Sequence, residues 1–99
     1  MRTRVKICGI TKKKDALFAS NLGVDALGFV FYKDSPRYID PIDAGKIISC
    51  LHPFVLRVGL FVNNDAEFVK DSIIKSKINF LQFHGDESEE YCNQFNLPY

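Results

Sequence analysis

Apolar residues in this chain fall into two alternating patterns. Four short, mostly apolar runs occupy residues 5–8, 26–31, 56–62 and 80–83, each about the length of a β-strand. Between them, apolar residues recur at helical spacing. Ala44, Ile47, Ile48 and Leu51 follow i, i+3, i+4, i+7, one buried face of a helix. Val69 and Ile73, then Tyr91 and Phe95, repeat the i, i+4 step. The first helix is expected to bury Ala16, Leu17 and Ser20 and to stop near Gly23. No Asn-Gly or Asp-Gly hairpin signal separates the runs, which argues against antiparallel pairing. Strands alternating with helices predict an α/β fold, a parallel sheet built through right-handed crossovers.

Cap residues sharpen the helix starts. Asp40 before Pro41 is a cap followed by proline at the first helical position. Thr11 is positioned to cap the first helix, while Asn64 with Glu67 and Asp86 with Glu89 have capping-box spacing. Each cap follows the C-terminal end of a strand. Cys8, the loop from Tyr32 to Tyr38, Asn63 and the turn His84-Gly85-Asp86 are therefore expected on one rim of the sheet. In parallel α/β folds that rim binds ligands. The final Asn96-Leu97-Pro98-Tyr99 reads as a turn leading toward another strand. Four parallel strands leave two open edges, so the reading is of part of a longer chain.

Composition narrows the class. The chain has 99 residues, 46% of them hydrophobic and 25% charged, with a net charge of +1. That suits one small domain and gives no strong attraction for nucleic acid or an anionic membrane. The run Lys12-Lys13-Lys14 reads as the solvated first turn of a helix. No apolar stretch approaches the ~18 residues of a membrane span. Met1-Arg2-Thr3-Arg4 leads into the first strand without a signal-peptide core. Three cysteines, Cys8, Cys50 and Cys92, form no CxxC motif, so neither a disulfide framework nor structural zinc is expected. The cytoplasm is the expected location. Cys50 and Cys92 read as core residues on helices.

The candidate chemistry gathers at the predicted rim. Free cysteine is ordinarily a small buried hydrophobe, but Cys8 ends a strand just before a helix, where a thiolate is favoured and can act as base or nucleophile. Arg37 lies in Asp34-Ser35-Pro36-Arg37-Tyr38. It is either a surface turn residue or a fork for a carboxylate or phosphate, aimed by the stiff Pro36. His84, beside helix-capping acids, fits local hydrogen bonding better than metal binding. Gln82 alternates with Leu81 and Phe83, so it faces the other side of the sheet and would need a polar partner if that side were a barrel interior. Gly9, Gly28, Gly59 and Gly85 form no nucleotide fingerprint.

These residues together resemble phosphoribosylanthranilate isomerase, an enzyme family of tryptophan biosynthesis. The likeness is carried by Lys6-Ile7-Cys8-Gly9-Ile10-Thr11, by residues 25–32 (DALGFVFY) and by Ser35-Pro36-Arg37-Tyr38-Ile39. It continues through Arg57-Val58-Gly59-Leu60-Phe61-Val62-Asn63 and Gln82-Phe83-His84-Gly85-Asp86-Glu87. The blocks keep the family's order and span nearly the whole chain. Phe83 and Leu60 depart from the family's usual leucine and valine, both apolar exchanges. The resemblance implies a TIM (β/α)8 barrel of about 200 residues, of which residues 1–99 are the N-terminal half-barrel of four βα units. It implies an Amadori rearrangement of N-(5-phosphoribosyl)anthranilate to 1-(2-carboxyphenylamino)-1-deoxyribulose 5-phosphate, with no cofactor and no metal.

The same likeness assigns roles. Cys8 matches the general base that takes the proton from C2′ of the ring-opened Schiff base. Arg37 matches the residue that holds the anthranilate carboxylate, and His84 is a weaker substrate-binding candidate. The general acid, an aspartate, and the phosphate-binding loops belong to the other half of the barrel. The chain by itself is expected to be inactive and to require that half. Three rival readings remain on the sequence: another phosphosugar enzyme on a related barrel, a non-catalytic half-barrel that pairs with itself or another chain, and a flavodoxin-like binding domain. The last would need a fifth strand and a switch in strand order, and neither is visible.

Overall fold

The computed structural model describes residues 3–99; the Met1 and Arg2 of the N-terminal reading lie outside the described residues. Four strands alternate with four helices: β1 (Lys6–Cys8), α1 (Lys13–Asn21), β2 (Ala26–Val30), α2 (Pro41–Ile48), β3 (Leu56–Phe61), α3 (Ala66–Ser76), β4 (Phe80–Phe83) and α4 (Glu89–Asn93). The sheet runs β1-β2-β3-β4, and every pair is parallel. This is the arrangement of four consecutive βα units predicted above. Crossovers of one hand place the helices on one face of such a sheet.

Side-chain parity divides the two faces. Leu27, Phe29, Phe31, Phe61 and Leu81 are fully buried and form the core with Ala16, Ala44, Val69 and Phe95. Their odd numbers reflect the two-residue period of strands in register. Phe61 packs its ring against Phe31 at 5.4 Å and Phe68 at 6.2 Å. Phe83 meets Tyr91, Phe95 and Tyr99 within 6.2 Å. The even-numbered Lys6, Cys8, Val30, Leu60 and Gln82 share the opposite face, where a pocket opens.

That face is concave. Gln82 finds the partner its position demanded: Lys6 Nζ donates to Gln82 Oε1, linking β4 to β1 across the sheet. On a flat sheet these strands would stand about 14 Å apart, three spacings. Two side chains projecting straight up would not meet, so the sheet curls toward the pocket, as a barrel wall does.

The helix starts follow the sequence in outline and differ in detail. Asp40 caps α2 as expected, accepting from Ile42 N at 2.8 Å, with Pro41 next and Ala44, Ile47, Ile48 and Leu51 buried. The other three caps are displaced. Thr11 does not cap α1; Lys12 holds that position in extended backbone without a side-chain bond. Asp65, not Asn64, caps α3 through Phe68 N at 3.1 Å. Asn64 instead turns back to accept from Val62 N at 3.0 Å. Ser88, not Asp86, caps α4 through Tyr91 N at 3.0 Å. For α3 and α4 a neighbouring Asp or Ser competes for the position, and the loop geometry chooses. In α1, Ala16 and Ala19 are buried, whereas Leu17 and Ser20 are only half-buried. The helix ends ahead of Gly23, whose φ of 87° makes the reversal. Cys92 is buried as expected, and burial together with Glu87 and Glu89 pushes its thiol up. Cys50 is exposed, correcting its assignment to the core, because it falls past the end of α2.

Helices α2 and α3 touch through their backbones. A Cβ on Gly45 would collide with the Lys75 carbonyl and lie 3.4 Å from Ser76 Cα. Ser72 and Ser76, both buried, keep the α3 side narrow by bonding their hydroxyls to Phe68 and Ser72 carbonyls at 2.7 and 2.6 Å. Gly→Ala within a helix normally stabilises by up to ~1 kcal/mol. Gly45→Ala should reverse that sign and destabilise by about 1–3 kcal/mol through overpacking, read as a lower urea midpoint; an increased midpoint would contradict the close crossing.

Candidate active site

Cys8 is the last residue of β1, and Gly9 turns the chain at once with a φ of 87°. Gly9 N and Ile10 N both donate to the Gly28 carbonyl at 3.0 Å. The β1–β2 register sets Cys8 opposite Gly28. A Cβ on Gly28 would stand 2.9 Å from Cys8 Sγ. The thiol therefore occupies space that any larger residue on β2 would take.

Arg37 reaches the same place from the loop after β2. Ser35 N donates to the Tyr32 carbonyl and Tyr38 N to the Ser35 carbonyl, each at 3.1 Å, so the loop folds on itself. Ser35 Oγ accepts from Arg37 N at 3.1 Å. Ile39 N then returns to the Val30 carbonyl at 3.0 Å, and Tyr38 forms an isolated parallel bridge with Val30. Carried by this brace, Arg37 lays its side chain over Gly9, where a Cβ would approach Cδ to 2.5 Å and Nη1 to 2.8 Å. Nη1 donates to the Cys8 carbonyl at 3.3 Å. This uses one of the five N–H donors of the guanidinium.

Cys8 and Arg37 both line a cavity of about 680 Å³, along with Lys6, Tyr32, Gln82 and His84. The volume is within the range of small-molecule sites. Two fixed cations, Lys6 and Arg37, face a single carboxylate, Asp34, in the lining, a balance that favours an anionic ligand. The structure thus brings together all three residues singled out from the sequence. Among the described residues, no three His, Cys, Asp or Glu side chains gather so as to hold a metal ion. Tyr38, half-buried beside the loop, has its phenol pushed up by burial and by Asp40 and Asp43.

Sequence reasoning overlooked Lys6, although its i, i+2 relation to Cys8 placed it on the same face. It also missed what Gly9 and Gly28 do. Their role emerges only once β1 is registered against β2 and the distant loop lies across the strand tip.

The native exposure of the thiols gives a direct check. Cys8, half-exposed at the pocket, and Cys50 should alkylate in the folded protein, and Cys92 only on unfolding; timed labelling and mass spectrometry would read this, and a Cys8 protected like Cys92 would contradict the open pocket. Gly9→Ala should cost about 1–2 kcal/mol from its positive φ alone, and should also displace Arg37.

Comparisons with known proteins agree with this geometry. Residues 5–98 match the family model of N-(5′-phosphoribosyl)anthranilate (PRA) isomerase. Over 99 residues the chain is 54% identical to the N-(5′-phosphoribosyl)anthranilate isomerase of Nitrosospira multiformis and 50% identical to that of Nitrosomonas europaea. All of this chain is covered, against 48% and 47% of those proteins; the chain spans about half the length of the curated relatives it matches. A crystal structure of phosphoribosyl anthranilate isomerase in complex with reduced 1-(o-carboxyphenylamino)-1-deoxyribulose 5-phosphate superposes with a TM-score of 0.91 at 50% identity. That match covers 95% of this chain and 48% of the other. The four βα units are thus an α/β half-barrel of the same form, and the chain belongs to the N-(5′-phosphoribosyl)anthranilate isomerase family.

Proposed function

We propose that residues 1–99 form the N-terminal half of a single barrel domain that isomerises N-(5-phosphoribosyl)anthranilate to 1-(2-carboxyphenylamino)-1-deoxyribulose 5-phosphate. The observation that carries this reading is the convergence of Cys8 and Arg37 on one pocket, joined through the Cys8 carbonyl at 3.3 Å. The ribose ring opens to a Schiff base at C1′. Cys8 removes the proton from C2′, and the electron pair moves into an enolamine. Reprotonation at C1′ leaves the ketone at C2′, so hydrogen moves within one molecule and no external oxidant or reductant is consumed. Arg37 grips the anthranilate carboxylate and holds the reacting carbon over the thiol. His84, on the same rim, contacts the substrate. The relative that holds the reduced product analogue supports this class of ligand.

The remaining half of the barrel supplies the general acid and the phosphate site. The two edges of the sheet support that reading. Phe18 on α1 and Leu22 just past its end are 67% and 68% exposed at i, i+4 spacing, and Val5 and Ile7 are exposed along the edge that β1 forms. In a closed barrel an eighth helix and strand would cover this edge. At the other edge, the Pro98 carbonyl accepts from Leu81 N at 2.8 Å, so the chain after α4 already lies against β4. Among the described residues no helix is long and apolar enough to cross a membrane. The three free cysteines suit a reducing compartment, and we assign the protein to the cytoplasm.

The test joins this chain to the C-terminal half of the Nitrosospira multiformis relative. The chimera should turn over N-(5-phosphoribosyl)anthranilate and the 99-residue chain alone should not. A folded chimera without turnover would refute the assignment. If the isolated chain instead sediments as a stable folded dimer and the chimera is inactive, the self-pairing reading takes its place. In the active chimera, Cys8→Ala should lower kcat by about 10²–10⁴ with little change in KM. Arg37→Ala should mainly weaken binding, by about 1.5–3 kcal/mol for a lost charge-assisted contact. An unchanged kcat in the first, or unchanged affinity for a carboxylate-bearing analogue in the second, would remove that residue from the mechanism.

A further inference from the structure

Glu87 lies beyond the strand tips, away from the cavity lining, yet its carboxylate joins two loops of the candidate site. Its Oε2 accepts from Asn63 N at 2.7 Å in the loop after β3, and its Oε1 accepts from Gly85 N at 2.8 Å in the loop after β4. Asn63 answers in the other direction: its Oδ1 accepts from Asp86 N at 2.8 Å. Two of these hydrogen bonds cross between the loops, Asn63 N to Glu87 and Asp86 N to Asn63, and the third, Gly85 N to Glu87, folds the loop after β4 around the same carboxylate, whose charge strengthens the bonds it accepts.

The tie is tight. A Cβ on Gly85 would lie 2.5 Å from Asn63 Oδ1, so the Asn63 side chain packs directly on the Gly85 backbone. Asn63 takes a φ of 50° to reach it, a conformation that asparagine tolerates better than most residues. His84 sits immediately before this knot. Its own N–H donates to the Phe61 carbonyl at 2.9 Å, so its backbone is held by the sheet on one side and by the knot on the other. His84 lines the pocket with Cys8 and Arg37.

We infer that Glu87 is a positioning residue: by clamping the loops after β3 and β4 together, it fixes His84 at the pocket rim in the orientation the substrate meets. The inference rests on the proposed function and adds to it a residue that the substrate does not touch. Glu87→Gln is the informative variant because it keeps the shape. One carboxamide oxygen can still accept from one of the two amides, while the NH2 group faces the other and breaks the second bond.

The experiment uses the active chimera described above, with N-(5-phosphoribosyl)anthranilate as substrate and the reduced product analogue as calorimetric ligand. Glu87→Gln should raise KM and the analogue Kd about tenfold, the effect of one lost or misplaced contact, with kcat within about twofold. His84→Ala should do the same. The double variant should be no weaker than His84→Ala alone, because a residue that acts only through the imidazole has nothing left to position. Thermal unfolding within about 5 °C of the parent would show that the fold is retained. A merely structural role would instead lower the melting temperature and the active fraction while leaving KM unchanged. Additive losses in the double variant, or unchanged KM and Kd in Glu87→Gln, would overturn the positioning role while the function stands. A parent chimera that neither binds the analogue nor turns over would overturn the functional reading, and this role with it.

Discussion

The Gly28 carbonyl accepts the N–H groups of Gly9 and Ile10 together, and this paired contact locks the exit of β1 onto β2. It fixes the register that sets Cys8 beside a residue with no side chain. It also fixes the turn at Gly9 over which Arg37 lies. Two vacancies in the side-chain pattern thus serve two side chains of the candidate site. One lets the thiol stand against the neighbouring strand, and the other lets a long cationic side chain cross the strand tip close enough to reach a main-chain oxygen. The guanidinium is held by the main chain at the tip of β1, and the thiol stands against the Gly28 backbone, the most rigid kind of support that a small sheet offers.

Much of this was legible before any coordinates. The alternation of short apolar runs with helical periodicity pointed to four parallel strands, because Leu27, Phe29, Phe61 and Leu81 on the core face are large and apolar. Asp40-Pro41 marked its helix correctly because no other polar residue competes for the cap. Two of the other caps shifted because Asn64 stands next to Asp65, and Asp86 stands two residues before Ser88. Capping-box spacing favours Asn64 with Glu67 and Asp86 with Glu89, and the path of each loop overrides it in favour of a neighbour with no Glu three residues on. Cys50 was misplaced for a similar reason: periodicity extended α2 by one turn too many, past its end at Ile48. The Arg37–Cys8 contact spans a loop of irregular backbone. No periodicity describes that loop, so the residues were recognisable but the geometry was not.

The polar contacts outside the core follow one plan. Lys6 meets Gln82 across the concave face, Arg37 meets the end of β1, and Tyr91 OH donates to the Asn64 carbonyl where α4 passes the loop after β3. Each links elements that are distant in sequence. The Tyr91 phenol is pushed up by burial first, then by Glu87 and Asp65. The helix side of the sheet is held by apolar area, and the pocket side by a few directed bonds. A surface built in the second way can change its ligand by exchanging single residues without disturbing the packing beneath.

The bond from Leu81 to the Pro98 carbonyl has a consequence of its own. A single amide chosen on β4 decides the phase of whatever lies beside it. Leu97 packs against the core and the Tyr99 ring meets Phe83, so odd numbers face the helices here as they do in every strand before. Had the neighbouring carbonyl been taken instead, grease and solvent would have traded places along that whole margin. One contact thus carries the inside–outside code of the sheet from its last strand into the segment that follows.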